Sequence, residues 1–557
     1  MNGMSRYGIS RRGLLKYAGA GATAAFAVGA VGVNGRSSAF AATPPSKPTG
    51  QVIAGISQEP TVFNPLMPGS EVDQGVWWQL FNTLWYIDAT GKMVPDLAAE
   101  LPSVANGGLS VDGLVWKVKL RKDAKWHDGK PFTARDVKFT LDLINNPDFR
   151  VRNRTGHSLL RDIAVVADDE IHWRMAEPYT PYMSVLALTF MVPEHILSKE
   201  VDPNKAAFNN APVGTGAFRW GSRTAGDHLL LEQNPAFHGD GPYLERVVFK
   251  YIPDQTVLYT QFRSGEIDYI GLSGIQPAFE AEAKALPGVK IAAAPLAFVE
   301  HIALNLEFPL FKEKAVREAL YLGMNRAARI EVIYQGRPIE TESYVPQGHW
   351  AYNDALPKHR HDPAAARVLL DAAGWVPGPD GIRVKDGKRL AFSNSTTSGS
   401  QSREQAQQLL MQDWREIGVE MVIENMPGAV IWGDFWQKSK YQSVMVASNF
   451  LQGGDPDATL RFSSACIPAQ GGSGLNTYQY QNAEVDKLLA QGTRESDMEK
   501  RKEIYHRVQA IIRDDLVFLP VSQSVIVEGV KEKLIGHQPN INSSSNCWNL
   551  RSWYWAA

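Results

Sequence analysis

The sequence predicts an α/β protein built in more than one lobe. Three observations carry this reading: a half-buried strand signature, two well-marked helix starts, and an interleaving of strand and helix patterns along most of 557 residues. The strand comes first. In "LVWKVKL", Leu114 to Leu120, Trp116, Val118 and Leu120 share one face, and Lys117 and Lys119 share the other. Asp128-Gly129 then turns the chain. Thr133-Ala134-Arg135-Asp136 reads as a capping box, opening a helix that carries Val137, Leu141 and Ile144 on one side. A second helix starts at Asp362-Pro363, with proline in the first turn and Gly374 as its stop. A third runs from Ser402 to Ile417, ends at Gly418, and is followed at once by the strand "VEMVI". Internal repeats and long linkers are missing from the sequence after the first 50 residues.

The amino-terminal stretch "SRRGLLKYAGAGATAAFAVGA", Ser10 to Ala30, admits three readings. Gly19 to Ala24 fits a phosphate-cradling G-x-G-x-x-A pattern, but no strand precedes it and no acidic residue occurs before Glu59. A membrane anchor needs about 20 apolar residues, and the uncharged run from Tyr17 to Asn34 is short and only mildly apolar. An export signal fits every part: a basic start, a modest apolar run, and Ala39-Phe40-Ala41 as the cleavage site. Arg11 and Arg12, within Ser10 to Lys16, resemble the twin-arginine signal, which exports folded proteins. The expectation is therefore a leader removed near Ala41 and a mature chain working in the periplasm.

About 515 residues remain after the leader, enough for two or three domains. Apolar residues form 44% of the chain and charged residues 21%, an ordinary globular balance. Of the 57 basic residues five lie in the leader, so 52 face 59 acids in the mature chain, a net charge of −7. That balance argues against nucleic acid or an anionic membrane as the main partner. The two cysteines, Cys466 and Cys547, exclude a four-cysteine zinc site and leave either one disulfide or two free thiols. No nucleophile elbow, phosphate loop, H-E-x-x-H or C-x-x-C is present. His359 and His361 lack the i, i+4 spacing of a helical metal pair. The acidic pair in Asp455-Pro456-Asp457 reads as a turn whose carboxylates bond the backbone rather than as an acid–base pair. The expectation is a protein that is not an enzyme and that uses no cofactor and no metal.

Several segments carry a family resemblance together. "LRKDAKWHDGKPFTARDVKFTLDLI", Leu120 to Ile144, resembles the signature stretch of the extracellular solute-binding proteins of ABC importers, peptide/nickel type, family 5. "ISQEPTVFNPL" before it, "APVGTGAFRW" after it, and "HDPAAARVLLDAAGW" and "NTYQYQNAEVDKLLAQG" further on follow in the family's order. The resemblance implies a bilobal periplasmic-binding-protein fold with an extra domain, two mixed α/β lobes joined by a hinge. Its implied segments are domain I at 42–84, 212–300 and 520–557, domain II at 85–211, and domain III at 301–519. It also implies a monomer that closes on a small solute or short peptide and docks on permease subunits in the inner membrane, a separate ATPase supplying the energy.

Residues that hold a solute must lie on both lobes, because only contacts made in the closed state drive closure. Ser70 and Glu71 match the family's contacting loop after the first strand, with Glu71 either a polar anchor or a surface carboxylate. His301 lies on a second contacting strand, as a ligand or as a satisfied hinge histidine. Arg403 stands near the start of a helix bordering the cleft, and Trp432 and Trp436 are spaced to share a helix face, as ligand wall or as core. Asn449 and Gln452, in "VASNFLQGGDPDAT", complete the set. Peptide-binding members place an aspartate just before this "DP" turn to hold the ligand's amino terminus. Here Leu451 or Gln452 occupies that place, so capture of a free ammonium by that device is in doubt. A peptide or peptide-like solute is the leading expectation, with a saccharide or an opine-like conjugate beside it. A sensor or chaperone subunit on the same scaffold and a secreted hydrolase are the readings from other classes.

Overall fold

The computed structural model of the chain describes residues 43–557 except 272, 273, 428, 429, 452, 453, 473, 544 and 546. The stretch read from sequence as a leader, with Arg11 and Arg12, and Gln452 therefore lie outside the described residues. The main strands are β1 (Gln51–Ile56), β2 (Val115–Lys119), β3 (Leu160–Ala167), β4 (Glu170–Met175), β5 (Phe218–Thr224), β6 (His228–Gln233) and β7 (Arg246–Tyr251). They continue with β8 (Tyr269–Ile270), β9 (Val289–Leu304), β10 (Ala391–Ser395), β11 (Glu420–Ile423), β12 (Ser443–Asn449) and β13 (Phe518–Lys531). The helices used below are α1 (Glu71–Leu80), α2 (Ala134–Asn145), α3 (Pro363–Ala372), α4 (Gln401–Glu416) and α5 (Met498–Asp515).

One large mixed sheet runs β11-β10-β12-β9-β13-β8-β1-β7-β6-β5, and β2-β4-β3 form a separate antiparallel sheet. Strands β1, β7 and β8 are mutually parallel, as are β10, β11 and β12, while β9 and β13 pair antiparallel. The hydrophobic cores fall into two groups. Two cores are built from residues between 297 and 521, and three from residues before 292 and after 526. Among the described residues, β9 and β13 are the strands that contribute to both groups. Ala297, Val299 and Phe518 pack on one side, and Ile291, Val527 and Val530 on the other. Between the two groups their pairing breaks, with register shifts from Pro295 to Val299 and from Glu300 to His301. An irregular two-strand ladder is the cheapest place to bend a sheet, because few hydrogen bonds resist it.

The local signals read from sequence appear as expected. Strand β2 buries Trp116 and Val118 and exposes Lys117 and Lys119. Asp136 accepts from the Thr133 amide at 2.8 Å and closes the capping box of α2, whose Val137, Leu141 and Ile144 are buried. Asp362 caps α3 by accepting from the Ala365 amide at 2.8 Å. Gly418, after α4, has a φ of 84°, a left-handed turn that glycine adopts without a Cβ clash.

Cys466 and Cys547 are both buried free thiols, so the disulfide alternative is not realised. Cys547 belongs to a core of the first group, around Val52 and Trp553, whereas Cys466 sits on the short turn Ser464–Cys466. Among the described residues no group of three or more His, Cys, Asp or Glu could hold a metal, and no helix is long and apolar enough to cross a membrane.

Candidate functional site

Two adjoining cavities open where the two groups of cores face each other. The larger measures about 660 Å³ and the smaller about 180 Å³. They share Gly454, Ile541 and Asn542 in their walls. Each is lined from both sides of the molecule: Leu66, Arg152 and Val185 face Asn449 and Leu451 across the smaller one, and Met93 and Met183 face Trp350 and Arg501 across the larger. Concave space between two lobes, apolar with a few placed polar groups, is the usual form of a small-ligand site.

The lobes touch directly at one rim. The Tyr179 hydroxyl donates to Asp457 Oδ2 at 3.2 Å, the Thr180 amide donates to the Thr493 carbonyl at 2.7 Å, and Arg494 pairs with Glu177 at 2.8 Å. The structure therefore holds the lobes together over the cavities. Beneath this rim lies a compensated charge cluster. Arg501 Nη2 donates to both oxygens of Asp455, at 2.8 and 2.9 Å, and both side chains are about 95% buried, with 5% and 4% exposure. Asp455 Oδ1 also accepts from the Asp457 amide at 3.0 Å, and Asp457 Oδ1 accepts from the amide and hydroxyl of Thr459. The acidic pair is thus a bonded turn, as its sequence suggests. Burial, with the Asp455 charge beside it, pushes the Asp457 carboxyl up to about 6, against the hydrogen bonds of Thr459.

Of the residues singled out from sequence, Asn449 lines the smaller cavity, at the end of β12. Leu451 lines it too and is itself largely buried, so an apolar side chain faces the space at that point. Ser70 caps α1: its amide and hydroxyl donate to Asp73 Oδ2 at 2.6 and 2.7 Å. Glu71, in the first turn of α1, lines neither cavity. Burial, then repulsion from the buried Glu528 carboxylate, pushes it up to about 7.

The remaining candidates are engaged elsewhere. His301 is fully buried, with Nδ1 2.9 Å from the Val299 carbonyl and Nε2 2.9 Å from the Tyr478 hydroxyl. Its ring packs on Phe450 and Phe518, and burial holds its pKa down to about 3, so it is a neutral core histidine. Both nitrogens of the Arg403 fork that it uses bond Glu300, Nε at 2.8 Å and Nη2 at 2.9 Å, so its charge is already met. Trp432 lies within a π-helical turn, Ile431–Phe435, and Trp436 follows it directly, so the two do not sit on a regular helix face. Their rings meet edge to face at 5.9 Å, and Trp436 stacks on Tyr441 at 5.1 Å inside the core. Neither tryptophan lines the cavities.

Arg152 and the rim residues Glu177 and Tyr179 were not marked by the sequence. Arg152 lies in "FRVRNR", where three arginines alternate with other residues. Arg154 spends its charge on the Asn146 and Phe149 carbonyls, and the pattern alone does not separate it from Arg152.

The comparisons with known proteins agree with this geometry. Residues 92–469 match the family described as bacterial extracellular solute-binding proteins, family 5. The chain is 26% identical to the oligopeptide-binding protein AppA of Bacillus subtilis over 521 residues, covering 91% of this chain and 92% of that one. It is 25% identical to the dipeptide-binding protein of Escherichia coli, covering 80% and 84% of the two chains. The solved structure of Bacillus subtilis AppA in complex with a nonapeptide superposes with a TM-score of 0.78 at 25% identity, over 92% of this chain and all of that one. NikZ from Campylobacter jejuni, in complex with Ni(L-His), shares the fold with a TM-score of 0.78 at 24% identity. The chain belongs to the bacterial extracellular solute-binding proteins of family 5 and has their bilobal fold.

Proposed function

We propose that this protein captures a peptide or peptide-like solute between its lobes and delivers it to the permease of an ABC importer. The observation that carries the reading is the pair of cavities walled from both lobes, with the lobes joined at the rim by the Tyr179, Thr180 and Arg494 contacts. Combined, the cavities have room for a ligand of small-peptide size. The relatives that bind oligopeptides and dipeptides support the ligand class. The irregular β9–β13 ladder supports a hinge near residues 300 and 520, on which the lobes open and close. Export by the twin-arginine signal, with removal of the leader near Ala41, supplies the periplasmic site of action.

The test is native mass spectrometry of the protein purified from the periplasm of its own host. The expected result is a fraction carrying a bound solute of peptide mass. A protein that carries no solute, and that no di- to nonapeptide stabilises against heat, would end the reading. Export is tested separately. The double variant Arg11→Lys, Arg12→Lys is expected to leave precursor in the cytoplasm, and unchanged export would rule out the twin-arginine route.

A further inference from the structure

Arg152 is the one side chain with a formal charge among the described residues that line the smaller cavity. Its backbone is fixed, since its amide donates to the Leu66 carbonyl at 2.8 Å. Its guanidinium lies over the Trp77 ring, 5.3 Å from the centroid. Among the described residues no carboxylate pairs with it. Arg152 is itself exposed to solvent, and among the described residues no acid acts on its charge. A guanidinium is not deprotonated in proteins, so the cavity is offered a permanent cation.

The other polar groups of this cavity are neutral. Asn153, Asn449 and Asn542 present amides. His157 is held neutral by burial, at about 3, and its ring nitrogens face Tyr182 and Thr189 at 3.1 and 3.3 Å. Behind Asn449 stands a second cation. Arg461 Nη2 donates to the Asn449 carbonyl at 3.2 Å, its guanidinium lies over Phe450, and no carboxylate among the described residues pairs with it. So each lobe brings one arginine without a carboxylate partner, and among the described residues no acid lines the smaller cavity. The nearest acids named in the cleft, Asp455 and Asp457, are already bonded to Arg501 and to Thr459 and Tyr179.

A guanidinium that no acid meets in the free protein keeps its donors available to a ligand. A carboxylate entering the cavity makes a planar, two-pronged contact with it, whereas an ammonium meets a like charge. We infer that the smaller cavity receives a carboxylate of the bound solute, with Arg152 as its partner, so that the protein selects for an anionic group there and against a free ammonium. This inference rests on the solute-binding reading above and assigns the polarity of that site.

The experiment uses the mature protein freed of endogenous solute, with thermal shift and calorimetry as readouts. Three sets of probes are compared. The first is a di- and tripeptide mixture with acetylated amino termini and free carboxylates. The second is the same mixture with free amino termini and amidated carboxyl ends. The third is succinate and citrate beside succinamide. Carboxylate-bearing probes are expected to stabilise the protein, and amidated ones to bind at least about tenfold more weakly. Arg152→Gln is expected to abolish that preference while leaving the unliganded melting temperature unchanged, and Arg152→Lys to retain part of it. Equal or tighter binding of the amidated, free-ammonium set overturns the inference and leaves the solute-binding reading standing. Binding of the organic acids but of neither peptide set keeps the inference and ends the peptide reading. No response to any carboxylate, or a preference that survives Arg152→Gln, also overturns it.

Discussion

The two cavities of the cleft treat an arginine in opposite ways. In the larger, Arg501 is buried against Asp455, and its guanidinium lies 5.6 Å from the Trp350 ring centroid and 5.3 Å from that of Tyr505. In the smaller, Arg152 has an aromatic neighbour but, among the described residues, no acid. A buried pair whose bonds are complete is part of the framework, because removing one partner strands the other charge. A cation left open to a cavity is free to be met by a ligand. The contrast predicts that removing the first arginine destabilises the fold and removing the second does not. Arg501→Met should cost about 3–5 kcal/mol of stability, the usual consequence of stranding a buried carboxylate. Adding Asp455→Asn should restore part of that loss, since the amide oxygen can still accept from the Asp457 backbone. Denaturant unfolding of the single and double variants measures both. A single variant within about 1 kcal/mol of the parent would show that the pair is not structural.

Two carboxyls, Asp457 at the rim and Glu71 on α1, give a pH dependence of intermediate size. Asp457, pushed up to about 6, and Glu71, pushed up to about 7, hold their protons more tightly in the folded chain than in the unfolded one. Between about pH 4 and pH 7 the folded chain therefore binds more protons through these groups, and their contribution to stability falls as pH rises. Asp457→Asn removes one of them. Relative to the parent, that variant should gain on the order of 2 kcal/mol between pH 4 and pH 7. Unfolding curves at four or five pH values test this. A difference that is flat with pH, or that has the opposite slope, contradicts the placement of Asp457. Arg152→Gln, by contrast, should change unliganded stability by less than about 0.5 kcal/mol, because no bonded partner is lost.

What the sequence made legible was local. The Thr133–Asp136 box, the Asp362 cap and the Gly418 stop depend on residues within four positions of one another, and each formed as its spacing implied. The bonded turn at Asp455 and Asp457 was legible for the same reason. Partners distant in the chain were not. Arg501 meets Asp455 across 46 residues, Arg403 meets Glu300 across 103, and His301 meets Tyr478 across 177. Nothing in the spacing of a lone arginine tells whether the fold will bring it an acid. That is why Arg403 looked available and is paired, while Arg152 looked ordinary and is open to the cleft. Trp432 and Trp436 meet ring to ring in one core, the core alternative of their spacing, although the backbone that carries them is π-helical with a break at Gly433.

The smallest effect is expected at the outer rim, where Arg494 and Glu177 join the lobes in plain view of solvent. Their side chains are 58% and 50% exposed, so water screens the pair and both long side chains lose freedom to form it. Arg494→Ala should therefore change stability by less than about 0.5 kcal/mol. The adjacent bond from the Thr180 amide to the Thr493 carbonyl does not involve that side chain and should survive. Solute affinity should move by less than about threefold, and that change should shrink further in 0.5 M salt, where the screening length falls to a few ångströms. Calorimetry at low and high salt decides the matter. A tenfold loss of affinity that salt does not erode would mean that the exposed pair, and not the buried bonds beneath it, holds the lobes closed.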